Sequence, residues 1–376
     1  MFAENGACAV TGRTFGAWAI QCDPWDAGQM ITAIIPARNE EAAIARCVES
    51  VAAQAEIAEV IVVDDGSTDR TPTILAELGR KIPKVKILSA GELPRGWTGK
   101  SHAAAMGAEA ASGEWLLFTD ADTFHYPGSA GRALADAVER DAVLVSYSPE
   151  QELETFAEKA LVPLVYCRLA EIFSYAKVNN PKLADAAANG QYILILRDVY
   201  RRIGGHAAVA REILEDVALA RNVKLAGYRI YFTAPIGVVR TRMYRTFGAM
   251  WEGWTKNLYL LLGARPERMM GELAVMFPWG EAALLGAAVI EFIRVNFFTH
   301  GSIDWAVLLL ISGLSLLLRA LVKYAAQLQR SLYPVWYIQY YVPGVVLYAG
   351  VIVASWWKNT RGRVTWKGRE YPAGIP

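Results

Sequence analysis

The chain has only four cysteines in 376 residues, Cys8, Cys22, Cys47 and Cys167, and no two are spaced as Cys-x-x-Cys. That scatter excludes a disulfide framework and a cysteine-based zinc site, and leaves the thiols as small buried apolar residues. An imbalance of charge is lacking too. Lys and Arg total 38 against 37 Asp and Glu, and no basic block interrupts the first half, so nucleic acid is not an expected partner. Residues 1–29 have no basic leader, and Thr11, Gly12 and Arg13 break their apolar stretch. This extension fits neither a signal peptide nor a membrane anchor. No repeat or low-complexity run is present.

Apolar weight is abundant instead, with a mean hydropathy of +0.21, and it gathers near the C-terminal end. Residues 335–357 carry no charge, and 303–322 are interrupted only by Asp304 and Arg319. Both are long enough to cross a bilayer. Residues 273–293 are apolar as well but contain Pro278, Glu281 and Glu291, which suits either a crossing or an interfacial position. Arg319, Lys323 and Arg330 separate the two clean spans, and Lys358, Arg361, Arg363, Lys367 and Arg369 follow the second. Loops on both sides of one span cannot both be cytoplasmic, and the larger cluster places the tail inside. The expectation is a multi-pass protein of the cell inner membrane, with an even number of crossings and a cytoplasmic N-terminal domain. Its parts are an extension over 1–29, a soluble domain over 30–240, an amphipathic interfacial segment over 241–271, a transmembrane region over 272–357 and a basic cytosolic tail over 358–376.

From residue 31 to about 234, short β-rich runs alternate with amphipathic stretches. That pattern predicts an α/β fold, a Rossmann-like, mostly parallel sheet with helices on both faces. Strands are expected at 31–35, 60–63, 85–88, 115–118 and 143–147, each a near-continuous apolar run as in strands buried on both faces. Helices are expected at 40–53, 71–80, 101–111 and 128–140, with Ser67 or Asp69 and Ser101 available as N-caps. Ligands of such sheets bind beyond the carboxyl ends of the strands. Acidic motifs sit at those ends.

The run VVDDGS carries Asp64 and Asp65 out of a strand into Gly66. Carboxylates there suit a base or a ribose hydroxyl, while Asp65 or Asp69 alternatively caps the helix that begins near Thr71. In TDADT, Asp120 and Asp122 are two residues apart on an extended chain, so two hard oxygen ligands face the same way and suit Mg2+ or Mn2+ against a diphosphate. His125 close by reads as a surface loop residue that could join the metal shell. The loop ELPRGWTGKSH over 92–102 places Lys100 at a helix start, a setting for an anion such as phosphate, without the spacing of a P-loop. Glu215 and Asp216 open another helical stretch. There a carboxylate suits either proton abstraction from a hydroxyl or the helix macrodipole. Arg240, Arg242 and Arg245 precede Trp251, Trp254 and Lys256, a set that suits a membrane interface or a diphosphate.

At these residues the chain resembles family 2 glycosyltransferases of the GT-A fold, over roughly residues 31–256. The run LPRGWTGK over 93–100 and the apolar C-terminal stretches are similar to hopanoid-associated and carotenoid glycosyltransferases, and residues 364–371 resemble the tail of ceramide glucosyltransferases. The resemblance implies an inverting single displacement from a nucleotide sugar, commonly a UDP-sugar, to a hydroxyl of a lipid or polyprenoid acceptor. It assigns Pro36, Ala37, Glu40, Asp64 or Asp65 and Lys100 to nucleotide binding. It assigns Asp120 and Asp122 to the metal, Asp216 to the base, and residues 188–205 to the border of the acceptor. Arg242 and Arg245 occupy the region where processive synthases carry Gln-x-x-Arg-Trp, which is absent here. Transfer of one sugar is therefore favoured over polymerisation. The alternatives are a transferase of polysaccharide or lipid-linked oligosaccharide synthesis and a non-catalytic nucleotide-sugar-binding membrane protein. The triad Asp120, Asp122 and Asp216 weighs against the latter, because a binder needs no base.

Overall fold

A computed structural model of the chain describes residues 30–276, 304–361, 363–366 and 369–372, with short pieces between 286 and 297. The extension over 1–29 and much of the expected third apolar stretch and of the basic tail lie outside the described residues. The chain divides into two units, one of residues 1–152 and 173–243, the other of 153–172 and 244–376.

The first unit is built around central strands, Ile31–Ala37 and Trp115–Phe118 among them, whose apolar runs are buried on both faces. β1 (Ile31–Ala37) is buried throughout except at Pro36, and pairs in parallel with β2 (Ile57–Asp64) and β4 (Trp115–Phe118). β3 (Val85–Ser89) extends the sheet beyond β2. Between these come α1 (Ile44–Ala52), α2 (Thr71–Lys81) and α3 (Gly99–Ala110), then the short β5 (Thr123–His125) and α4 (Ser129–Arg140). β6 (Leu144–Tyr147), β7 (Glu150–Gln151), β8 (Ile193–Leu196), β9 (Ile230–Thr233) and β10 (Val239–Thr241) follow. The seven-stranded order is β3-β2-β1-β4-β8-β6-β9, with β8 antiparallel to both neighbours. One apolar layer gathers Val48, Leu75 and Ala133 against one face, and another gathers Ala104, Ala108 and Leu219 against the other. The mostly parallel α/β sheet expected from the alternation is thus present, with β4 at the expected bounds.

Two local departures matter for the site. Thr98, not Ser101, caps α3: its hydroxyl oxygen accepts the Ser101 N–H at 3.2 Å. The helix therefore starts two residues early and takes Lys100 into its first turn, where free backbone N–H groups and the helix dipole lie. The Asp120–Asp122 stretch is not extended. It turns, with the Thr123 hydroxyl donating to the Asp120 carbonyl at 2.8 Å.

The second unit contains α5 (Phe156–Ile172), then, after the first unit's α6 (Tyr175–Val178), α7 (Arg197–Arg202) and α8 (Glu215–Leu225), the helices α9 (Phe247–Leu261), α10 (Pro266–Met276), α11 (Asp304–Arg330) and α12 (Tyr341–Thr360). Two stretches, Leu310–Arg330 and Val335–Thr360, are long and apolar enough to cross a membrane. The latter is not one uninterrupted α-helix, since Val335–Tyr340 is a 3-10 turn ahead of α12. α11 leaves Leu310, Ile311, Leu314, Leu318 and Val322 exposed. α12 is held on one side: Ser355 Oγ accepts the Tyr259 N–H at 2.9 Å, and Lys358 Nζ donates to Thr255 Oγ1 at 2.9 Å. In the expected interfacial segment Trp254 is buried, packing edge-on to Tyr166 and Tyr244, while Phe247 is exposed.

Candidate active site

The reversed direction of β8 builds the site. Because Ile193 lies opposite Phe118, the residues that lead into β8 meet those that leave β4. The carboxyl ends of β1 and β4 and the amino end of β8 therefore share one edge, and a cleft opens there. Pro36, Lys100, Phe118, Thr119, Asp120, Gly190, His206, Glu215 and Asp216 line it.

Its polar centre is Lys100. The ammonium nitrogen stands 2.7 Å from Asp120 Oδ1 and 2.9 Å from Glu215 Oε1. Burial alone would lower its pKa, but Asp120, Glu215 and Asp216 together hold it well above the usual lysine value. Lys100 is therefore an ammonium under all ordinary conditions. Gly190 makes room for it, since a Cβ there would come within 2.8 Å of the nitrogen.

Asp216 opens α8. Its Oδ2 accepts the Gly190 N–H at 2.9 Å and its Oδ1 the Val217 N–H at 2.8 Å. Burial, then the neighbouring Glu215 charge, push its pKa up to about 6, against the opposing pull of Lys100. A carboxylate so tuned accepts a proton readily near neutral pH.

Asp120 and Asp122 bound the turn that follows β4. Beneath their turn lies Cys47, whose Sγ donates to the Asp120 carbonyl at 3.4 Å. Burial first, and then the charges of Asp122, Asp120 and Glu40, push its thiol up to about 12. Asp120 thus meets Lys100 through its carboxylate and Cys47 through its backbone carbonyl.

The VVDDGS motif is sorted by the structure. Asp69 caps the start of α2, accepting the Thr71 N–H at 2.9 Å and the Glu41 N–H at 3.1 Å. Asp64 pairs in register with Ala37 and accepts the Ser67 hydroxyl at 2.5 Å. Asp65 is buried, and its N–H donates to the Ala37 carbonyl at 2.8 Å. The Glu40 N–H is held by Thr71 Oγ1 at 2.8 Å.

His125 is a correction: it is buried, not a surface loop residue. Its Nε2 lies 2.9 Å from Thr119 Oγ1 and its ring stacks on Tyr192. Burial lowers its pKa to about 3, so it stays neutral. Arg240 sits over Phe124 at 4.6 Å and pairs with Glu152 at 2.8 Å. The Arg242 charge also helps hold Glu152 below its usual range, after the larger effect of Arg46. Arg245 is exposed and falls in the second unit.

Sequence reasoning singles out Lys100, Asp120 and Asp216 but misses Phe118 and His206, which line the same cleft. The Gly204-Gly205 pair before His206 was the available signal. Among the described residues no group of three His, Cys, Asp or Glu side chains forms a ready metal cage. The carboxylates of Asp120 and Glu215, which meet at Lys100, offer hard oxygen donors of the type that suits Mg2+ or Mn2+ shared with phosphate.

Residues 32–204 match the family model described as Glycosyl transferase family 2. The 4,4'-diaponeurosporenoate glycosyltransferase of Staphylococcus aureus (strain MRSA252) is 27% identical over 351 residues, covering 91% of this chain and 88% of that protein. The protein of the same name from Staphylococcus haemolyticus (strain JCSC1435) is 30% identical over 242 residues, 61% of each. A mannosyltransferase from Pyrobaculum calidifontis, solved in complex with GDP-Man and Mn2+, shares the fold. Its TM-score is 0.54 at 22% identity, covering 88% of this chain and 86% of that one.

Proposed function

We propose a specific reaction for this chain, a glycosyltransferase whose residues 32–204 belong to glycosyl transferase family 2. A sugar passes from a nucleoside diphosphate to a hydroxyl of a lipid or polyprenoid acceptor, with inversion in a single displacement. The relatives named for a carotenoid-derived acceptor support the lipid class. So do the two apolar stretches, which suit attachment to the inner membrane with the sheet unit on the cytoplasmic side.

In this reading Asp216 takes the proton of the acceptor hydroxyl as its oxygen attacks the anomeric carbon. The bond from that carbon to the diphosphate breaks, and its electron pair leaves with the nucleotide. Lys100 lies where developing negative charge needs a cation, and the first turn of α3 adds backbone N–H groups. Pro36, Ala37, Glu40, Asp64 and Asp65 form the nucleotide side, with Arg242 assigned to the diphosphate. Asp120 and Asp122 would hold a divalent cation, which when bound neutralises diphosphate charge. The site fits one: Asp120, Glu215 and Asp216 face a single ammonium, so negative charge is in surplus there.

The observation that carries this reading is the Lys100 bridge from Asp120 to Glu215, the residue before Asp216. It gathers the proposed metal ligand and the proposed base on one cleft. Asp216→Asn is expected to lower transfer by at least about 100-fold while nucleotide-sugar binding, measured by calorimetry, persists. Loss of binding in that variant would undo the assignment of the base.

A further inference from the structure

His206 lines the cleft and carries a polar atom that the reaction above leaves unused. It follows Gly204 and Gly205, both in the left-handed region at φ of 79° and 52°. At Gly205 a Cβ would come within 2.5 Å of the Tyr200 ring. Only glycine lets that ring lie so close, and the consequence is a clamp. The Tyr200 hydroxyl accepts the His206 backbone N–H at 3.0 Å and stands 2.9 Å from Nδ1 of the same residue. The hydroxyl also has one hydrogen to place, and Nδ1 is the acceptor within its reach, so we assign the bond as Tyr200 O–H to Nδ1. A neutral imidazole that accepts at Nδ1 must carry its proton on Nε2.

The ring is held further by an edge-on contact with Phe118 at 4.7 Å, and it lines the cleft beside Glu215. Burial lowers its pKa to about 4, so it remains neutral across the range in which Asp216 works. None of the hydrogen bonds among the described residues uses Nε2. The result is a fixed neutral donor on a residue that lines the cleft, near enough to Glu215 and Lys100 for both charges to act on it.

We propose that His206 donates a hydrogen bond from Nε2 to a hydroxyl of the transferred sugar, and that Tyr200 is its positioning residue. The inference rests on the glycosyl-transfer reading of this cleft. A site that aims a buried donor at a sugar hydroxyl discriminates against sugars that lack it, since the donor is then left unpaired. His206 would thus set donor specificity, a role separate from proton transfer at Asp216.

The test first titrates the full wild-type chain with UDP-glucose, UDP-galactose, UDP-N-acetylglucosamine and GDP-mannose to find the donor it binds. That nucleotide sugar is then compared with its parent nucleoside diphosphate on the variants. His206→Phe keeps the volume and removes the donor. It is expected to weaken the nucleotide sugar on the order of tenfold while the nucleoside diphosphate binds as before. His206→Gln, which can return an N–H near the Nε2 position, is expected to recover much of the difference. Tyr200→Phe is expected to shift the nucleotide sugar in the same direction by a smaller factor. Equal weakening of both ligands would make His206 a structural residue and overturn the proposal, as would no change in either. If wild type binds none of the four, the reading of the cleft itself fails, and this inference falls with it.

Discussion

On the β2 side of the carboxyl edge, Asp64 and Asp69 are held by neutral donors, the Ser67 hydroxyl and the backbone N–H groups of Thr71 and Glu41. On the β4 and β8 side, Asp120 and Glu215 share one ammonium, and Asp216 stands beside them with a raised pKa. Both sides are acidic, yet they answer different demands. Neutral donors hold a carboxylate in place without cancelling its charge, which fixes a loop and leaves Asp64 able to accept from a nucleotide hydroxyl in the proposed reading. One cation among three carboxylates leaves a field that a second cation, a proton or a sugar-bearing substrate can complete.

Breaking the charged side is expected to have the larger effects. Lys100→Met removes the shared cation and should lower transfer by at least about 100-fold. It should also cost about 1 to 3 kcal/mol of stability at pH 7, the range for a broken ion pair that solvent partly screens, since the lysine side chain is 40% exposed. That penalty should shrink as pH falls below 6 and Asp216 takes up a proton. Thermal melts at pH 5 and pH 7 check it, and a penalty equal at both would mean the carboxylates do not respond as a group. Asp122→Ala sharpens the same side with a smaller effect. It should remove the Mn2+ dependence of nucleotide affinity, on the order of tenfold, read by calorimetry with and without the ion. An undiminished Mn2+ response would move the cation elsewhere.

The pH profile separates the two sides without a mutation. Asp216 has a folded-state pKa raised to about 6, so its contribution to stability is fully present below the ordinary carboxylate value and is lost as pH rises through 6. Its catalytic form has the opposite preference. Transfer should rise with pH and level off above about 6, the value at which half of Asp216 is ionised. A profile flat from pH 5 to pH 8 would exclude Asp216 as the base.

How much of this was legible in the sequence follows the same division. β1, β2 and β4 read clearly because strands buried on both faces leave a continuous apolar run. β8 has only four residues, and no periodicity reveals that it runs against its neighbours. Yet that reversal is what brings Gly190 to Lys100 and Asp216. Asp120 and Asp216 were legible as acids, and Lys100 as a cation for phosphate. Their gathering was not, because the Lys100–Glu215 pair that brings Asp216 to the cleft spans more than a hundred residues of chain. His125 was misread for a related reason. Its burial depends on β5 pairing with β10, where His125 meets Val239 across the fold.

The smallest expected effect concerns Asp69, and it tests the neutral side of the comparison. Burial works against its charged form, but hydrogen bonds from Thr71 and from the Glu41 backbone outweigh it and hold the pKa below the usual aspartate value. A carboxylate depressed in this way stabilises the fold above its unfolded-state pKa, and the contribution is lost as pH falls through the lower folded value. Asp69→Ala should therefore cost about 1 kcal/mol at pH 7, the usual worth of a helix cap. That cost should fade under acid conditions, the opposite trend to the contribution of Asp216. Transfer by the folded variant should match wild type, because Asp69 stabilises a turn and faces no substrate in this reading. A variant that melts normally but loses nucleotide affinity would show that the VVDDGS turn holds the ligand through its cap, and the line drawn between the two sides would have to move.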